Sequence, residues 1–158
     1  MTLGLTLSSV SLSSAPCENY TTLTQSWRRI SQTNGPSVSG LHCDSSLQSG
    51  WFRFEGDAGT QLADQRDPQK WESCGTSRVA WLRGLHPGLS EGTVRRTICV
   101  GEITGDCGHD SEVLLRTCPD TRGGTFWVYR LDQVNVGCNW AYCAYTETDV
   151  PSANLSQR

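Results

Sequence analysis

Gly50-Trp51-Phe52-Arg53-Phe54 begins an aromatic segment that continues as Glu55-Gly56-Asp57-Ala58-Gly59. Three aromatic residues in four positions, bounded by glycines, predict a short β-strand. Phe52 and Phe54 share one parity and are expected to face a core. Trp51 has the other parity and is expected to lie under a neighbouring segment. The segment holds no nucleophile, metal-binding motif or phosphate loop, so it indicates a folded module and not a reaction.

Composition favours a single small domain that is mainly β, with short helical turns. The chain has 158 residues, of which 16 are glycine, one is methionine and only 18% are charged, as is typical of a turn-rich β protein. The net charge of −3 gives no electrostatic reason to expect binding to nucleic acid or to an acidic membrane. No run approaches the roughly 20 apolar residues of a membrane span.

Eight cysteines, distributed over the whole domain, indicate the compartment. An even number at wide spacing suits a disulfide framework, which predicts an extracellular protein, either secreted or displayed at the cell surface. The competing explanation is zinc. Zinc sites usually contain close pairs such as Cys-x2-Cys, and the nearest approaches here are Cys138-x4-Cys143 and Cys107-x-His109. We therefore expect no metal site and no cofactor.

The sequence divides into three parts. Residues 1–15 are serine-rich and are predicted to be a disordered N-terminal segment, either a poor signal peptide or, as we favour, the edge of a fragment. Residues 16–146 are predicted to form a disulfide-stapled domain, and residues 147–158 a polar linker. Because the cysteines indicate secretion, the sequons at Asn19 and Asn154 are predicted glycosylation sites.

Three further segments carry local expectations. Thr60 to Trp71 is polar and charged and is predicted to be an exposed loop, and Gly101 to Asp110 is also predicted to be a loop. Thr125 to Leu131 alternates around Phe126, Val128 and Arg130, which predicts a second aromatic strand packed near the first.

No residue pattern points to catalysis. His42, His86 and His109 are the only histidines, and the Gly-x-Ser-x-Gly pattern of hydrolases is absent. We expect His86, beside Pro87, to be a turn residue. The acidic pair Asp106 and Asp110 lacks the Asp-x-Asp-x-Asp-Gly pattern with its trailing Glu that typifies calcium loops. The chain is therefore predicted not to be an enzyme.

Nine short elements in one order resemble the eight-cysteine extracellular domain of the uromodulin and pancreatic zymogen-granule membrane glycoprotein type. They span about residues 16 to 145 without large gaps, and their order makes the resemblance specific at family level. The elements are Pro16-Cys17, Trp27-Arg28, Cys43-Asp44, Gly50 to Phe54, Cys74-Gly75-Thr76, Trp81-Leu82 with His86-Pro87, Glu91 to Val94, Val128 to Leu131 and Tyr142-Cys143.

The resemblance implies a non-catalytic structural or interaction module of a larger secreted or cell-surface mosaic glycoprotein. Its partners would be extracellular proteins or neighbouring modules of the parent chain. The alternative is a glycan-related binding module, either lectin-like or a glycan-displaying decoy for microbial lectins. In the lectin-like case, exposed Trp27, Trp71 or Trp140 would stack on sugar faces.

The resemblance also implies a disulfide pairing, namely Cys17–Cys118, Cys43–Cys138, Cys74–Cys143 and Cys99–Cys107. One departure bears on function. Uromodulin carries a decoy glycan in the segment that corresponds to Tyr129-Arg130-Leu131, whereas Arg130-Leu131-Asp132 of this chain is not a sequon. A decoy role would therefore depend on Asn19 or Asn154.

Overall fold

The computed structural model describes residues 15–31, 42–66, 71–102, 106–134 and 137–146. The predicted N-terminal segment, apart from Ala15, and the predicted C-terminal linker lie outside these residues. The boundaries of the predicted domain therefore stay predictions.

Strands dominate the described part of the chain. It has one short helix, α1 (Ala15–Glu18), and three 3-10 turns at Ser26–Arg28, Gly56–Ala58 and Leu89–Glu91. The ten strands are β1 (Thr21–Leu23), β2 (Gly50–Phe54), β3 (Gln61–Leu62), β4 (Trp71–Ser73), β5 (Thr76–Arg83), β6 (Thr93–Gly101), β7 (Cys107–Pro119), β8 (Thr125–Leu131), β9 (Trp140–Tyr142) and β10 (Ala144–Tyr145). The predicted fold class, mainly β with short helical turns, is confirmed.

One large sheet holds eight of these strands in the order β1-β2-β8-β7-β6-β5-β4, with β9 added beside β5. Its pairs are antiparallel except β1 with β2 and β5 with β9, which are parallel. β3 and β10 form a separate two-stranded ladder. The two aromatic strands are direct neighbours, since Trp51 lies opposite Arg130 and Phe52 opposite Tyr129, which confirms the predicted packing.

The alternation in β2 separates a core face from an outer face. Phe52 and Phe54 are 7% and 1% exposed, and Phe54 packs edge-on against Tyr129 with ring centroids 5.6 Å apart. Trp51 and Arg53 are half-buried on the opposite parity. Because side chains alternate across a strand, the sequence pattern alone determined which of these residues enter the core.

Two predicted loops are wrong in part. Gln61 to Asp64, expected to be exposed, is buried: β3 pairs with β10, and the Leu82 amide donates to the Ala63 carbonyl at 2.7 Å. Both ends of the predicted loop Gly101 to Asp110 are strands, since Gly101 ends β6 and β7 begins at Cys107, while residues 103–105 lie outside the described residues. In both segments, long-range backbone pairing overrides a polar local sequence.

A tight turn joins β4 to β5. Ser73 and Thr76 are paired, so Cys74 and Gly75 form a two-residue hairpin loop with φ of 45° and 68°. Positive φ at both positions is the conformation that matches the twist of a hairpin, and glycine adopts it without strain. Cys74 is held there by a disulfide to Cys143.

The structure brings the cysteines together in four disulfides. Their sequence separations are 101 for Cys17–Cys118, 95 for Cys43–Cys138, 69 for Cys74–Cys143 and 8 for Cys99–Cys107. The three long links interleave along the sequence. They connect α1 to β7, the segment before β2 to the segment before β9, and the β4–β5 turn to the residue after β9.

A buried ion pair attaches the first 3-10 turn to the body of the domain. Arg28 donates to both carboxylate oxygens of Asp44 at 2.7 and 2.8 Å, and the two side chains are 3% and 5% exposed. Asp44 also accepts from the Tyr142 amide at 2.8 Å, while Arg28 donates to the Tyr142 carbonyl at 3.0 Å. Both charges are thus satisfied inside the protein.

Candidate functional site

A groove of about 740 Å³ lies beside the sheet edge formed by β1 and β2. This volume falls within the range of about 300–1,000 Å³ that is usual for ligand sites. One wall comes from Asn19 to Thr21, a second from the turn that contains Trp27, and the third from Cys43 to Phe52. We call it the edge groove.

The lining of the edge groove is neutral and mixes aromatic rings with hydrogen-bonding groups. Arg28 and Asp44 are the only charged residues among the described ones that line it, and they neutralise each other. The remaining polar lining groups are hydroxyls and amides, including those of Thr21, Gln25 and Gln48. Such a surface suits an uncharged, hydroxyl-rich ligand and offers little to a phosphate or a metal ion.

Four aromatic residues line the groove, and three of them, Trp27, Tyr20 and Trp51, differ in the aromatic and cationic contacts that they make. The Trp27 ring stacks on His42 at 4.0 Å, and the Arg28 guanidinium lies 4.3 Å from its centroid. Tyr20 packs against Phe126 at 5.7 Å and accepts a hydrogen bond from Arg53. Trp51 makes no ring-to-ring or cation–π contact with any residue that the structure describes.

The sequence-predicted sugar-stacking residues do not form one surface. Trp140 is fully buried and packs edge-on against Tyr142 at 5.2 Å, so its prediction as an exposed platform is wrong. The side chain of Trp71 lies outside the described residues. Trp27 lines the edge groove and is half-buried. Trp51, which the sequence placed under a neighbouring segment, is the aromatic residue that was missed.

The two predicted glycosylation sites are placed differently. Asn19 is exposed and lines the edge groove, and its side chain makes no hydrogen bond to any described residue. Thr21, the hydroxyl residue of its sequon, begins β1 and is also exposed. Asn154 lies outside the described residues.

A second candidate site is a buried polar cluster around Asp64, on the segment that the sequence predicted to be exposed. Arg66 Nη2 lies 2.7 Å from Asp64 Oδ2, and the Tyr145 hydroxyl donates to the same oxygen at 2.6 Å. His86 Nδ1 faces that oxygen at 3.4 Å, while its Nε2 lies 2.8 Å from the Tyr129 hydroxyl.

Proton positions in this cluster follow from its donors. The Leu62 amide donates to the Tyr129 hydroxyl oxygen at 3.0 Å, which leaves the hydroxyl proton available to His86 Nε2. The ring proton of a neutral His86 then lies on Nδ1, facing Asp64. His86 lies in the connection between β5 and the 3-10 turn at Leu89–Glu91, and its side chain is buried, which the sequence did not indicate.

The pKa values of the side chains in this cluster differ from their ordinary values. Burial raises the pKa of Asp64, but hydrogen bonds from His86, Arg66 and Tyr145 outweigh it, so the pKa lies well below its ordinary value. Burial lowers the pKa of His86, and contact with Asp64 offsets this only in part. Burial also raises the pKa of Tyr129. The cluster therefore contains an aspartate and a neutral histidine at neutral pH.

Acid is expected to destabilise the domain through His86. The folded state keeps His86 neutral, whereas the unfolded chain protonates it near pH 6.5, so stability is full above that pH and falls as the pH drops. The free energy of unfolding should fall by up to about 1.4 kcal/mol per pH unit. A second loss follows below about pH 4, where Asp64 is protonated in the unfolded chain.

Urea titrations at pH 7.5, 6.5 and 5.5 measure this effect. His86→Gln should flatten the dependence in that range, whereas His109→Gln, which alters an exposed residue, should leave it unchanged. Equal slopes for wild type and His86→Gln would contradict the assignment of a neutral buried His86.

Neither candidate site has the features of a metal centre. Within the described residues, no group of three or more His, Cys, Asp and Glu side chains could hold a metal ion. His42 and His109 are exposed and lie on different segments, and Asp110 is exposed on β7. None of the helices described has the length and apolar character needed to cross a membrane.

Comparison with known proteins identifies the family. The family model of the uromodulin-like domain matches residues 52–144. This chain belongs to the uromodulin-like domain family. It is 38% identical to uromodulin of Mus musculus over 128 residues, which cover 81% of this chain and 18% of that protein.

This chain is also similar to a second group of glycoproteins, named GP2. The pancreatic secretory granule membrane major glycoprotein GP2 of Canis lupus familiaris is 38% identical over 136 residues, 85% of this chain and 24% of that protein. The Homo sapiens protein of that name is 35% identical over 128 residues, 81% of this chain and 22% of its own length. The chain thus spans about a fifth to a quarter of the curated relatives it matches.

The family assignment confirms the resemblance seen in the sequence and agrees with the compartment. Uromodulin and GP2 are extracellular glycoproteins, and the four disulfides fit an oxidising environment. This uromodulin-like domain is therefore extracellular. Its segment Arg130-Leu131-Asp132 ends β8 beside β2, where Leu131 pairs with Gly50.

Proposed function

We propose that this uromodulin-like domain is a non-catalytic structural or interaction module of a larger secreted or cell-surface mosaic glycoprotein. The observation that carries the proposal is the burial of the polar side chains that could otherwise act in catalysis. The Asp64–His86 pair, the nearest arrangement to a catalytic dyad, is buried and directed at the Tyr129 hydroxyl, which burial keeps protonated by raising its pKa. No substrate reaches such a pair, so its role is to fix β3, β8 and β10 relative to one another.

The links across the domain support the same proposal. Cys17–Cys118 connects α1 to β7, Cys43–Cys138 connects the segment before β2 to the segment before β9, and the paired Arg28 and Asp44 both hydrogen-bond to Tyr142 of β9. This rigid construction favours a module that spaces or presents binding partners, which would be extracellular proteins or neighbouring modules of the parent chain.

Turnover measurements test the non-catalytic part of the proposal. Panels of fluorogenic ester, peptide and glycoside substrates should be hydrolysed by the folded domain no faster than by buffer. His86→Gln and wild type should give the same background. Turnover above buffer that is lost in His86→Gln would overturn the proposal.

A glycan-related role is the second candidate, and the edge groove favours it. Its neutral lining and aromatic rings suit sugars, and Asn19 stands at its border. As a lectin, the domain would retain specific sugars on a glycan array, and the absence of binding would remove that alternative. As a decoy for microbial lectins, it would capture a bacterial adhesin, and Asn19→Gln or mannosidase treatment would abolish the capture.

A further inference from the structure

The edge groove and the sequon at its border share one stretch of chain. Asn19 is exposed, lines the groove and has no hydrogen-bonding partner among the described residues. We propose that Asn19 carries an N-linked glycan whose first sugar residues bind in the edge groove of the same molecule, against Trp51. This goes beyond the proposed function and depends only on its extracellular location.

Attachment of the glycan requires a donor from the secretory pathway, an oligosaccharide on a lipid diphosphate. The bond between sugar C1 and the diphosphate oxygen breaks, and a bond between C1 and Asn19 Nδ2 forms. The amide nitrogen loses one proton, and the lipid diphosphate leaves. No oxidant or reductant takes part.

Trp51 provides the apolar contact for the sugar. It is half-buried and fixed by the antiparallel pairing of β2 with β8, where it lies opposite Arg130. Its ring makes no aromatic or cationic contact to the described residues, in contrast to Trp27 and Tyr20 in the same groove. An aromatic face of this kind packs well on the C–H face of a pyranose ring.

The rest of the lining complements the sugar hydroxyls and N-acetyl groups. The hydroxyls of Thr21, Ser46 and Ser49 and the amides of Gln25 and Gln48 both donate and accept hydrogen bonds. Arg28 and Asp44 are paired with each other, so a neutral glycan core can bind beside them without breaking a charge–charge interaction.

Because the glycan is covalently attached at Asn19, even a weak contact between its sugars and the edge groove is enough for the groove to be occupied. A group held on a short flexible link has an effective concentration of about the millimolar range at a neighbouring site. A sugar contact too weak to be seen with free ligand is therefore populated when the sugar is attached to Asn19. Since the contact exists only in the folded state, it stabilises that state.

The tethered glycan is favoured over two other occupants of the groove. The buried core of a protein–protein interface is usually more apolar than the rest of the surface, whereas six of the fifteen described lining residues are Ser, Thr, Asn or Gln. A free carbohydrate would have to compete with the tethered sugars at their high local concentration.

Glycan removal from a secreted preparation tests the inference. Wild type should be occupied at Asn19 by glycopeptide mass spectrometry, and removal of the glycan with a peptide N-glycosidase should lower the Tm by about 3 °C or more. An endoglycosidase that leaves one N-acetylglucosamine should retain part of the effect. In Trp51→Thr, the loss on glycan removal should fall to less than a third of the wild-type loss.

A relocated glycan is the matched control. His109→Asn creates a sequon at positions 109 to 111, on an exposed part of β7 away from the edge groove. In the double variant Asn19→Gln, His109→Asn, glycan removal should leave the Tm unchanged. A Tm loss equal to that of wild type would show a generic glycan effect and overturn the proposal.

Hydrogen exchange keeps the test decisive if Trp51→Thr fails to fold. In wild type, backbone amides of residues 19–23 and 49–53 should exchange several-fold more slowly with the glycan than without it. An unoccupied Asn19, or exchange and Tm that ignore the glycan, would overturn the inference. Those results leave the proposed structural or interaction role standing, because the turnover measurements that test it do not depend on a glycan at Asn19.

Discussion

Asp44→Ala is expected to lower the free energy of unfolding by about 3–5 kcal/mol, the usual cost of leaving one member of a buried ion pair without its partner. The variant strands the Arg28 guanidinium, which is 3% exposed, and removes the acceptor of the Tyr142 amide. Arg28→Ala should cost a similar amount, because it strands the carboxylate. Urea denaturation with the disulfides intact measures both.

An exposed ion pair is the matched control for this prediction. Arg95 and Glu112 are 68% and 56% exposed and lie 2.8 Å apart, so Glu112→Gln should cost no more than about 1 kcal/mol. The double variant Arg28→Met, Asp44→Leu, which removes both charges, should recover much of the single-variant loss. A loss below about 1 kcal/mol for Asp44→Ala would show that the pair contributes little.

Removal of the Cys17–Cys118 link should cost about 4–5 kcal/mol, against about 2.5 kcal/mol for Cys99–Cys107. The difference follows from loop length, since the links span 101 and 8 residues, and a longer link removes more conformational entropy from the unfolded chain. Paired Cys→Ser variants of each link, compared by urea denaturation, test this order.

Peptide mapping under non-reducing conditions belongs with this comparison. Four bridges within the chain and no free thiol are expected, and a titratable thiol in the mature protein would contradict the pairing. An equal loss for the two variants would instead mean that native contacts, rather than loop entropy, determine what each link contributes.

The sequence predicted those features of the fold that short-range patterns specify. Alternation in β2 placed Phe52 and Phe54 in the core, and a second alternating run identified β8 as a strand. Segment 61–64 was predicted wrongly, because its burial depends on partners far away in sequence. The amide of Leu62 is bonded to Tyr129, 67 residues on, and Asp64 to Tyr145, 81 residues on.

The candidate site was less predictable because its walls come from three separate segments. The sequon at Asn19 was visible, but nothing local shows that it borders a groove containing Trp51. Tryptophan type alone also failed to indicate exposure, because Trp140 at the start of β9 is fully buried although the preceding residue, Asn139, is polar and exposed. Only the parity of Trp51, opposite to that of Phe52, indicated that its side chain lies outside the core.

The interleaved disulfides have a mechanical consequence. A tensile load applied at the two ends of the domain enters at Cys17 and crosses directly to Cys118, without unzipping the edge strand β1. The covalent route from Cys17 to Cys143 then contains only about 25 chain residues, which extend to about 90 Å at most, whereas the open chain would reach about 450 Å. Under tension, the disulfides therefore limit the maximum extension between these residues to about a fifth of that of the open chain.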